Sequence, residues 1–149
     1  MKRLFLCLLV LTVLLTGCAG SAREVDLAAL GEELFTSGVF SDELDAPGGS
    51  VAGALYDLPD QTETTLYISS GATAEELALF RAASDADAKL IESAANRRLT
   101  QQKTAFEGYL PDECEKLDRA VIRRSGRYVV LCVAHDADTA QQIIEHRFK

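Results

Sequence analysis

Cysteine is the residue type of this chain best suited to covalent chemistry, and cysteines stand at positions 7, 18, 114 and 132. A thiol can form a disulfide, act as a nucleophile, hold a metal or accept a lipid. The spacing of Cys114 and Cys132 matches no redox or zinc motif. A disulfide and a pair of buried thiols that pack as small apolar side chains are both better supported than a reactive nucleophile. Of these two, we expect the buried thiols.

The two histidines, His135 and His146, raise the question of a metal site, because the run from His135 to Asp138 contains metal-binding residue types. Its aspartates have a plainer use as helix N-caps, and a strand running on from Cys132 would point that thiol away from His135. We therefore expect no metal, cofactor or catalytic role here. The sequence also lacks G-x-S-x-G, H-E-x-x-H, P-loop and dinucleotide-binding motifs.

Cys18 follows a segment with the properties of a signal peptide. Two basic residues precede a largely apolar run over residues 4–15, which is too short to span a bilayer. The next residues complete Leu15-Thr16-Gly17-Cys18, which resembles the lipobox of bacterial lipoproteins. The resemblance implies that cleavage removes residues 1–17, and that a diacylglycerol on Cys18 anchors the protein to the outer face of the plasma membrane.

Processing at this site would leave a short tether and one domain. Residues 18–24 are then the lipidated cysteine and its tether, and residues 25–149 suffice for a single core but not for two lobes. A tether of seven extended residues reaches about 25 Å, so the domain stays close to the lipid. Loss of two bases and no acid moves the formal net charge from -8 to -10, which argues against nucleic acid as a partner.

Hydrophobic periodicity and turn residues predict the helices and strands. Helices are expected over about 26–37, from Ser84 to Pro111, and from Asp136 or Asp138 onward, with one more helical turn over 112–117. Residues 41–59 collect prolines and glycines between apolar anchors, which predicts an ordered loop. Residues 73–76 match a helical capping box. A second helix start follows closely at Ser84, so we expect a strand rather than a helix from residue 76. The expected strands cover residues 64–69, 76–82, 120–124 and 127–134.

These elements predict an α+β domain with a mostly antiparallel sheet of about four strands. The long helix and the C-terminal helix are expected to cover one face of that sheet. The last two strands form a hairpin whose expected turn is Ser125-Gly126, which pairs Ile122 with Val129. In this register Ile122, Val129, Leu131 and Val133 face the core, and Val121, Val130 and Cys132 lie on the other face.

Four arginines cluster around this hairpin: Arg119, Arg123, Arg124 and Arg127. Charged residues commonly protect a hairpin tip and an edge strand, and that interpretation remains open. They could also bind a negatively charged partner, such as an acidic protein, a lipid headgroup or a wall polymer. Because the short tether keeps the hairpin near membrane neighbours, we take it as the candidate partner-binding element.

Three segments carry a wider resemblance: GATAEELALF over residues 71–80, QKTAFEGYLP over 102–111 and GRYVVL over 126–131. They are similar to a family of small bacterial lipoproteins, found mainly in Gram-positive anaerobes. The family is known only as a domain of unknown function, four-three-five-eight in that series. The resemblance covers roughly residues 25–147 and implies a membrane-anchored, outward-facing protein with a strand over 76–82. It assigns no activity and no catalytic residue.

We therefore expect a lipid-anchored, extracytoplasmic binding or accessory module that is not an enzyme, with an unknown partner. One alternative is a small cell-envelope hydrolase with a site of an unrecognised type. Another is a receptor for a small ligand in the loop over residues 41–59. A deep pocket with converging polar groups would favour the enzyme or the receptor, whereas a shallow apolar or charged patch would favour interaction with a macromolecule.

Substitution of Cys18 tests the lipobox. Lipid transfer to the thiol precedes cleavage in the pathway that this motif resembles, so Cys18→Ala is expected to abolish fatty-acid labelling and to leave the precursor uncut after Gly17. Metabolic labelling of cells and the mass of the protein measure both effects. Normal processing and membrane retention of the variant would show that the motif is not a lipobox.

Overall fold

The computed structural model describes residues 24–149, and the predicted signal peptide, the lipobox and Cys18 lie outside the described residues. Five helices and five strands follow one another along the described part of the chain. They are α1 (Leu27–Thr36), β1 (Leu44–Asp45), α2 (Gly49–Tyr56), β2 (Glu63–Ser69), β3 (Glu76–Arg81), α3 (Asp85–Glu107), α4 (Pro111–Asp118), β4 (Val121–Ser125), β5 (Tyr128–Val133) and α5 (Ala137–Arg147). None of these helices is long and apolar enough to cross a membrane.

Side-chain caps fix the starts of three helices where the sequence predicts them. Asp26 accepts a hydrogen bond from the Ala29 amide at 2.9 Å before α1. Ser84 accepts one from the Asp87 amide at 3.1 Å before α3. Of the two candidate aspartates before α5, Asp136 is the cap, and it accepts from the Thr139 amide at 3.1 Å. Each cap satisfies a backbone donor that the first helical turn leaves without a partner.

The prediction of a loop over residues 41–59 is wrong, because this segment contains β1 and α2. Pro47 and Gly48 precede α2, with Gly48 as its N-cap, whereas Gly49 and Gly53 lie within the helix and Pro59 follows it. Ala52 and Tyr56 are each only 2% exposed, so they give this short helix a buried face. Asp57 ends it in the left-handed conformation with a φ of 50°.

The five strands form one antiparallel sheet in the order β1-β2-β3-β5-β4. The α+β class is confirmed, with five strands rather than four. The added strand, β1, is two residues long and pairs Leu44 with Ser69 at one edge. Strand β4 forms the opposite edge, and β3 and β5 occupy the centre.

The β4–β5 hairpin turns at Gly126-Arg127 instead of Ser125-Gly126, and Ile122 faces Leu131 rather than Val129. Gly126 holds the first central position with a φ of 52°, where a type II′ turn favours glycine. The register therefore differs from the predicted one by two residues. Because side chains alternate with a period of two, this shift leaves every side chain on its predicted face.

Helices cover both faces of the sheet, which corrects the expectation of one covered face. The first core lies beneath α2, α3 and α4, and the second core lies beneath α1 and α5, so the long and C-terminal helices are on opposite sides. Strand β3 alternates between them, since Ala78 and Phe80 enter the first core while Leu77 and Leu79 enter the second. Its run of apolar residues is typical of a central strand that is buried on both faces.

Leucine truncation on each face tests this double coverage. Leu79 in the second core is 1% exposed and Leu131 in the first core is fully buried. We expect Leu79→Ala and Leu131→Ala each to lower the free energy of unfolding by about 2–5 kcal/mol, because each leaves a cavity. Chemical denaturation measures both. A cost for Leu79→Ala within about 0.5 kcal/mol, as at a surface position, would mean that the second face is open.

Candidate functional site

Two of the four hairpin arginines are engaged in ion pairs within the domain. Arg119 Nη2 lies 2.9 Å from Asp138 Oδ2, beside the start of α5. Arg124 Nε donates to Glu92 Oε2 of α3 at 2.9 Å, and the Arg124 side chain is 28% exposed. Arg124 therefore joins α3 to the edge strand β4, and Arg119 joins the end of α4 to α5, although the sequence placed all four arginines together as one candidate partner site.

Arg123 and Arg127 are the other two, and both are exposed. Neither forms an ion pair with any residue in the described range 24–149. Arg123 lies on the edge strand β4, where it lines a cleft of about 380 Å³ with Gln141 and Glu145 of α5. Arg127 is the second residue of the hairpin turn. Because both arginines are exposed, their guanidinium groups are accessible to a partner.

The start of the described chain lies at the same end of the sheet as this turn. Residues 24–27 line a cavity of about 570 Å³ together with Arg81 and Tyr128, which pair across β3 and β5. The next residue, Ala82, donates its amide hydrogen to the Arg127 carbonyl at 2.8 Å. Residues 24–27, which would follow the tether, are therefore neighbours of the Gly126-Arg127 turn. We call this end of the sheet the tether end.

Both cysteines of the domain carry free thiols. Cys132 is 1% exposed in the second core, and burial, with the charge of Glu75 as a smaller cause, raises the pKa of its thiol to about 12. Cys114 is half-buried on α4, with its Sγ 3.9 Å from the Lys103 carbonyl oxygen of α3. The two thiols lie in different environments without a disulfide, and Cys132 stays protonated at neutral pH, which disfavours it as a nucleophile.

The histidines lie apart from any group of metal ligands. His135 and His146 are exposed, and Asp136 is occupied as the cap of α5. Among residues 24–149, no three His, Cys, Asp or Glu side chains come together as a metal site would require.

The structure reveals two buried glutamates that the sequence interpretation considered only in choosing between a helical capping box and a strand over residues 76–82. Glu75 is 1% exposed and Glu76 is fully buried, where β3 begins. Successive residues of a strand point to opposite faces, so the two carboxylates enter different layers of the domain. The sequence signal that could have identified them is their position directly before the apolar run of β3. A carboxylate at the start of such a strand is expected to be buried, and a buried carboxylate needs hydrogen-bond partners.

Glu76 faces the first core, where three side chains donate hydrogen bonds to its carboxylate. Tyr56 donates its hydroxyl hydrogen, Arg98 donates through Nε at 3.1 Å and Nη2 at 2.7 Å, and Gln102 donates through Nε2 at 2.8 Å. We call these four residues the Glu76 cluster. It joins α2 and α3 to the start of β3, across separations of 20 to 26 residues in sequence.

The pKa values of the partners follow from this arrangement. Burial raises the pKa of Tyr56 well above its ordinary value, and the charge of Glu76 acts in the same direction. Burial alone would lower the pKa of Arg98, but its hydrogen bonds to Glu76 and the carboxylate charge raise it. Tyr56 therefore remains a neutral donor and Arg98 a cation, so the acceptor positions of Glu76 stay occupied.

Glu75 joins a second set of elements on the other side of β3. It accepts from the amides of Ser41 and Asp42 at 2.9 and 3.0 Å, and from Lys116 Nζ of α4 at 3.0 Å. Burial opposes ionisation of Glu75, but the hydrogen bonds from Ser41, Asp42 and Lys116 outweigh burial and lower its pKa. The ionised carboxylate thus connects the segment after α1 and the helix α4 to the sheet.

A cavity of about 210 Å³ lies between the loop that joins β2 to β3 and the C-terminal half of α3. Glu76, Arg98 and Gln102 form its polar wall, and Ile68, Ala105 and Phe106 contribute apolar surface. The Oε1 atom of Gln102 is buried and has no hydrogen-bond partner among the described residues. The cavity lies where β3 begins, so it is at the end of the sheet opposite the tether end.

The model of a known family matches the chain. Residues 54–134 match the model of a family described as Domain of unknown function (DUF4358), which is more than half of the chain. The matched segment includes the whole Glu76 cluster, the cavity and the β4–β5 hairpin. No curated protein and no solved structure matches the chain significantly.

Substitution of Arg98 tests how strongly the domain depends on the Glu76 cluster. Arg98→Met keeps the apolar stem but leaves the Glu76 carboxylate without its cation, so we expect a loss of about 3–5 kcal/mol in the free energy of unfolding. Chemical denaturation measures it. The matched control is Arg97→Met on the exposed side of the same helix, which should cost no more than about 0.5 kcal/mol. Equal effects of the two substitutions would contradict this role of Arg98.

Proposed function

The chain belongs to the family described as Domain of unknown function (DUF4358), and we propose that it is a lipid-anchored, non-enzymatic binding module. In this proposal a diacylglycerol on Cys18 holds the domain at the outer face of the plasma membrane. Arg123 and Arg127 then bind a negatively charged partner. The observation that carries the proposal is the exposure of these two arginines, without ion pairs among the described residues, on the hairpin that adjoins the tether end.

The position of the hairpin supports a partner close to the membrane. The short tether would join the domain at residue 24, and residues 24–27 lie beside Arg81 and Tyr128, next to the turn. A tether of seven extended residues reaches about 25 Å at most. The Arg127 guanidinium is therefore kept within reach of groups that belong to the membrane surface or to neighbouring membrane proteins.

The chemistry of arginine supports a carboxylate or phosphate as the recognised group. A guanidinium is planar and can donate two parallel hydrogen bonds to such an anion. The net charge of the mature chain, -10, disfavours general adhesion to an anionic surface. We propose an acidic segment of a neighbouring membrane protein as the partner, and a lipid headgroup or a wall polymer would be recognised by the same two side chains.

The buried ionisable groups support a binding role over hydrolysis. Hydrogen bonds from Tyr56, Arg98 and Gln102 occupy the Glu76 carboxylate, so its oxygens are engaged within the fold rather than available to a substrate. The thiol of Cys132 has a pKa of about 12, so it is a poor nucleophile at neutral pH. Both residues have an evident use in the stability of the fold.

Charge reversal of the two exposed arginines tests the proposal in the full chain. Arg123→Glu/Arg127→Glu is expected to lose cross-linking to its partner in the native membrane, because two attractive contacts become repulsive. Recovery of the wild-type complex should also decrease as salt increases. Cross-linking in membranes followed by mass spectrometry measures both effects, and binding to vesicles with and without anionic lipid separates a headgroup from a protein partner.

The matched control is Lys89→Glu/Arg97→Glu, which makes the same charge change at two exposed positions of α3. Both double variants should retain their free energy of unfolding within about 1 kcal/mol, since each change is at the surface. Only the hairpin variant should lose the partner. If it recovers the same partners at the same salt as the wild-type protein, the arginines serve only as solvated charges of an edge strand.

A further inference from the structure

We propose that the acidic partner segment binds as an added strand along the open edge of β4. This inference rests on the proposed function, since it gives the partner of Arg123 a conformation and a place on the sheet. Strand β4 is the last strand in the order β1-β2-β3-β5-β4, so only β5 pairs with it among the described residues. An extended segment of another chain can continue a sheet at such an edge.

Backbone groups of Ile122 and Arg124 form the open edge. A two-residue turn is closed by a pair that exchanges backbone hydrogen bonds, and here that pair is Ser125 with Tyr128. Pairs that do and do not exchange hydrogen bonds alternate along an antiparallel ladder, so the N–H and C=O groups of Ile122 and Arg124 point away from β5. Within residues 24–149 no backbone bond from a turn, loop or helix cap reaches either residue. These groups are therefore left to solvent or to a partner.

The cleft of about 380 Å³ lies beside this edge. Six consecutive residues, 118–123, line it on the side of the sheet, and Gln141 and Glu145 of α5 line it on the other side. A groove between an edge strand and a helix suits an extended peptide, because its backbone pairs with the strand while alternate side chains face the helix. With five residues in β4 and a rise of about 3.4 Å per residue, the edge is about 17 Å long and pairs with about five residues.

The unpaired charge in this cleft is positive. Of the four charged residues in its lining, Asp118 and Arg119 are held in ion pairs. Glu145 accepts a hydrogen bond from Gln141 at 2.7 Å. Arg123 is the fourth, and it forms no ion pair with any residue in the range 24–149. An acidic side chain directly opposite Arg123 in the added strand would supply the missing counter-charge.

The same charge disfavours a second copy of this chain as the occupant. Antiparallel pairing of β4 with itself about a two-fold axis would place Arg123, at the centre of the five-residue strand, opposite its own counterpart. Like charges directly opposite each other destabilise a sheet. The occupant is therefore an extended segment of a different chain, about five residues long, with an acidic side chain at its centre.

Synthetic peptides test the added strand. When acetyl-Thr-Val-Glu-Val-Thr-amide places its glutamate opposite Arg123 and runs antiparallel, as every pair of this sheet does, its two valines pair with Ile122 and Arg124. NMR titration of the full protein in detergent micelles should give a Kd on the order of 1 mM, since backbone bonds to the peptide replace bonds to water. The amide signals of Ile122 and Arg124 should shift, and their exchange with solvent should slow.

Methylated peptides separate backbone pairing from charge. Methylation of both valine nitrogens removes the donors that face β4, and it should weaken binding at least about tenfold. Methylation of the glutamate nitrogen is the matched control. In this pairing that N–H points away from β4, so the affinity should change by less than about twofold.

Charge exchange tests the position of the glutamate. A peptide with lysine at its centre should bind the wild-type protein more weakly, and Arg123→Glu should reverse this preference. Arg97→Glu makes the same charge change at an exposed position of α3 and should leave both affinities unchanged.

The outcomes distinguish this inference from the proposed function. If methylation of the valine nitrogens leaves the affinity unchanged while Arg123→Glu still reverses the charge preference, Arg123 binds an anion without strand addition and the inference is wrong. Unchanged amide signals of Ile122 and Arg124, or no binding at about tenfold above the expected Kd, would also overturn it. Loss of cross-linking by Arg123→Glu/Arg127→Glu would leave the proposed function in place in each of these cases.

Discussion

The burial of two charges at the start of β3 is the constraint on which the rest of this domain depends. A carboxylate without solvent costs several kcal/mol unless cations and hydrogen-bond donors compensate it. Glu76 accepts hydrogen bonds from Tyr56 of α2 and from Arg98 and Gln102 of α3. Glu75 accepts hydrogen bonds from the segment after α1 and from Lys116 of α4. Because a strand alternates its side chains, one pair of adjacent residues fixes elements in two layers of the domain.

Local signals in the sequence were sufficient for the features that depend on neighbouring residues. The caps Asp26 and Ser84 satisfy amides three residues away, so residue type and spacing alone identify them. The antiparallel hairpin follows from two apolar runs and a glycine between them. Its exact turn did not follow, because Ser125-Gly126 and Gly126-Arg127 are both compatible with glycine in a tight turn. The pairing of Ser125 with Tyr128 distinguishes the two.

Features that depend on distant residues could not be predicted in the same way. The second covered face depends on α1 and α5, which are separated by most of the described chain and meet over Leu77, Leu79 and Val130. The Glu76 cluster likewise joins residues 20 to 26 positions apart. The predicted strand over residues 76–82 places Glu76 at the start of β3, but no local pattern indicates which distant side chains supply partners for Glu75 and Glu76.

Helix α3 runs between the two ends of the sheet and contacts the sheet near both. With 23 residues and a rise of about 1.5 Å per residue, it is about 35 Å long. Near its N-terminal half Glu92 pairs with Arg124 of β4, and further along Arg98 and Gln102 reach Glu76 of β3.

Small residues allow α3 to contact both β4 and the start of β3. Ala88 and Ala95 are fully buried and Ala94 is 2% exposed, so the backbone of α3 can approach the sheet closely. A close approach brings the long side chains of Arg98 and Gln102 down to the carboxylate of Glu76, where larger residues in place of these alanines would hold them away. The buried alanines therefore help to position the polar wall of the cavity, although they contribute no polar atom.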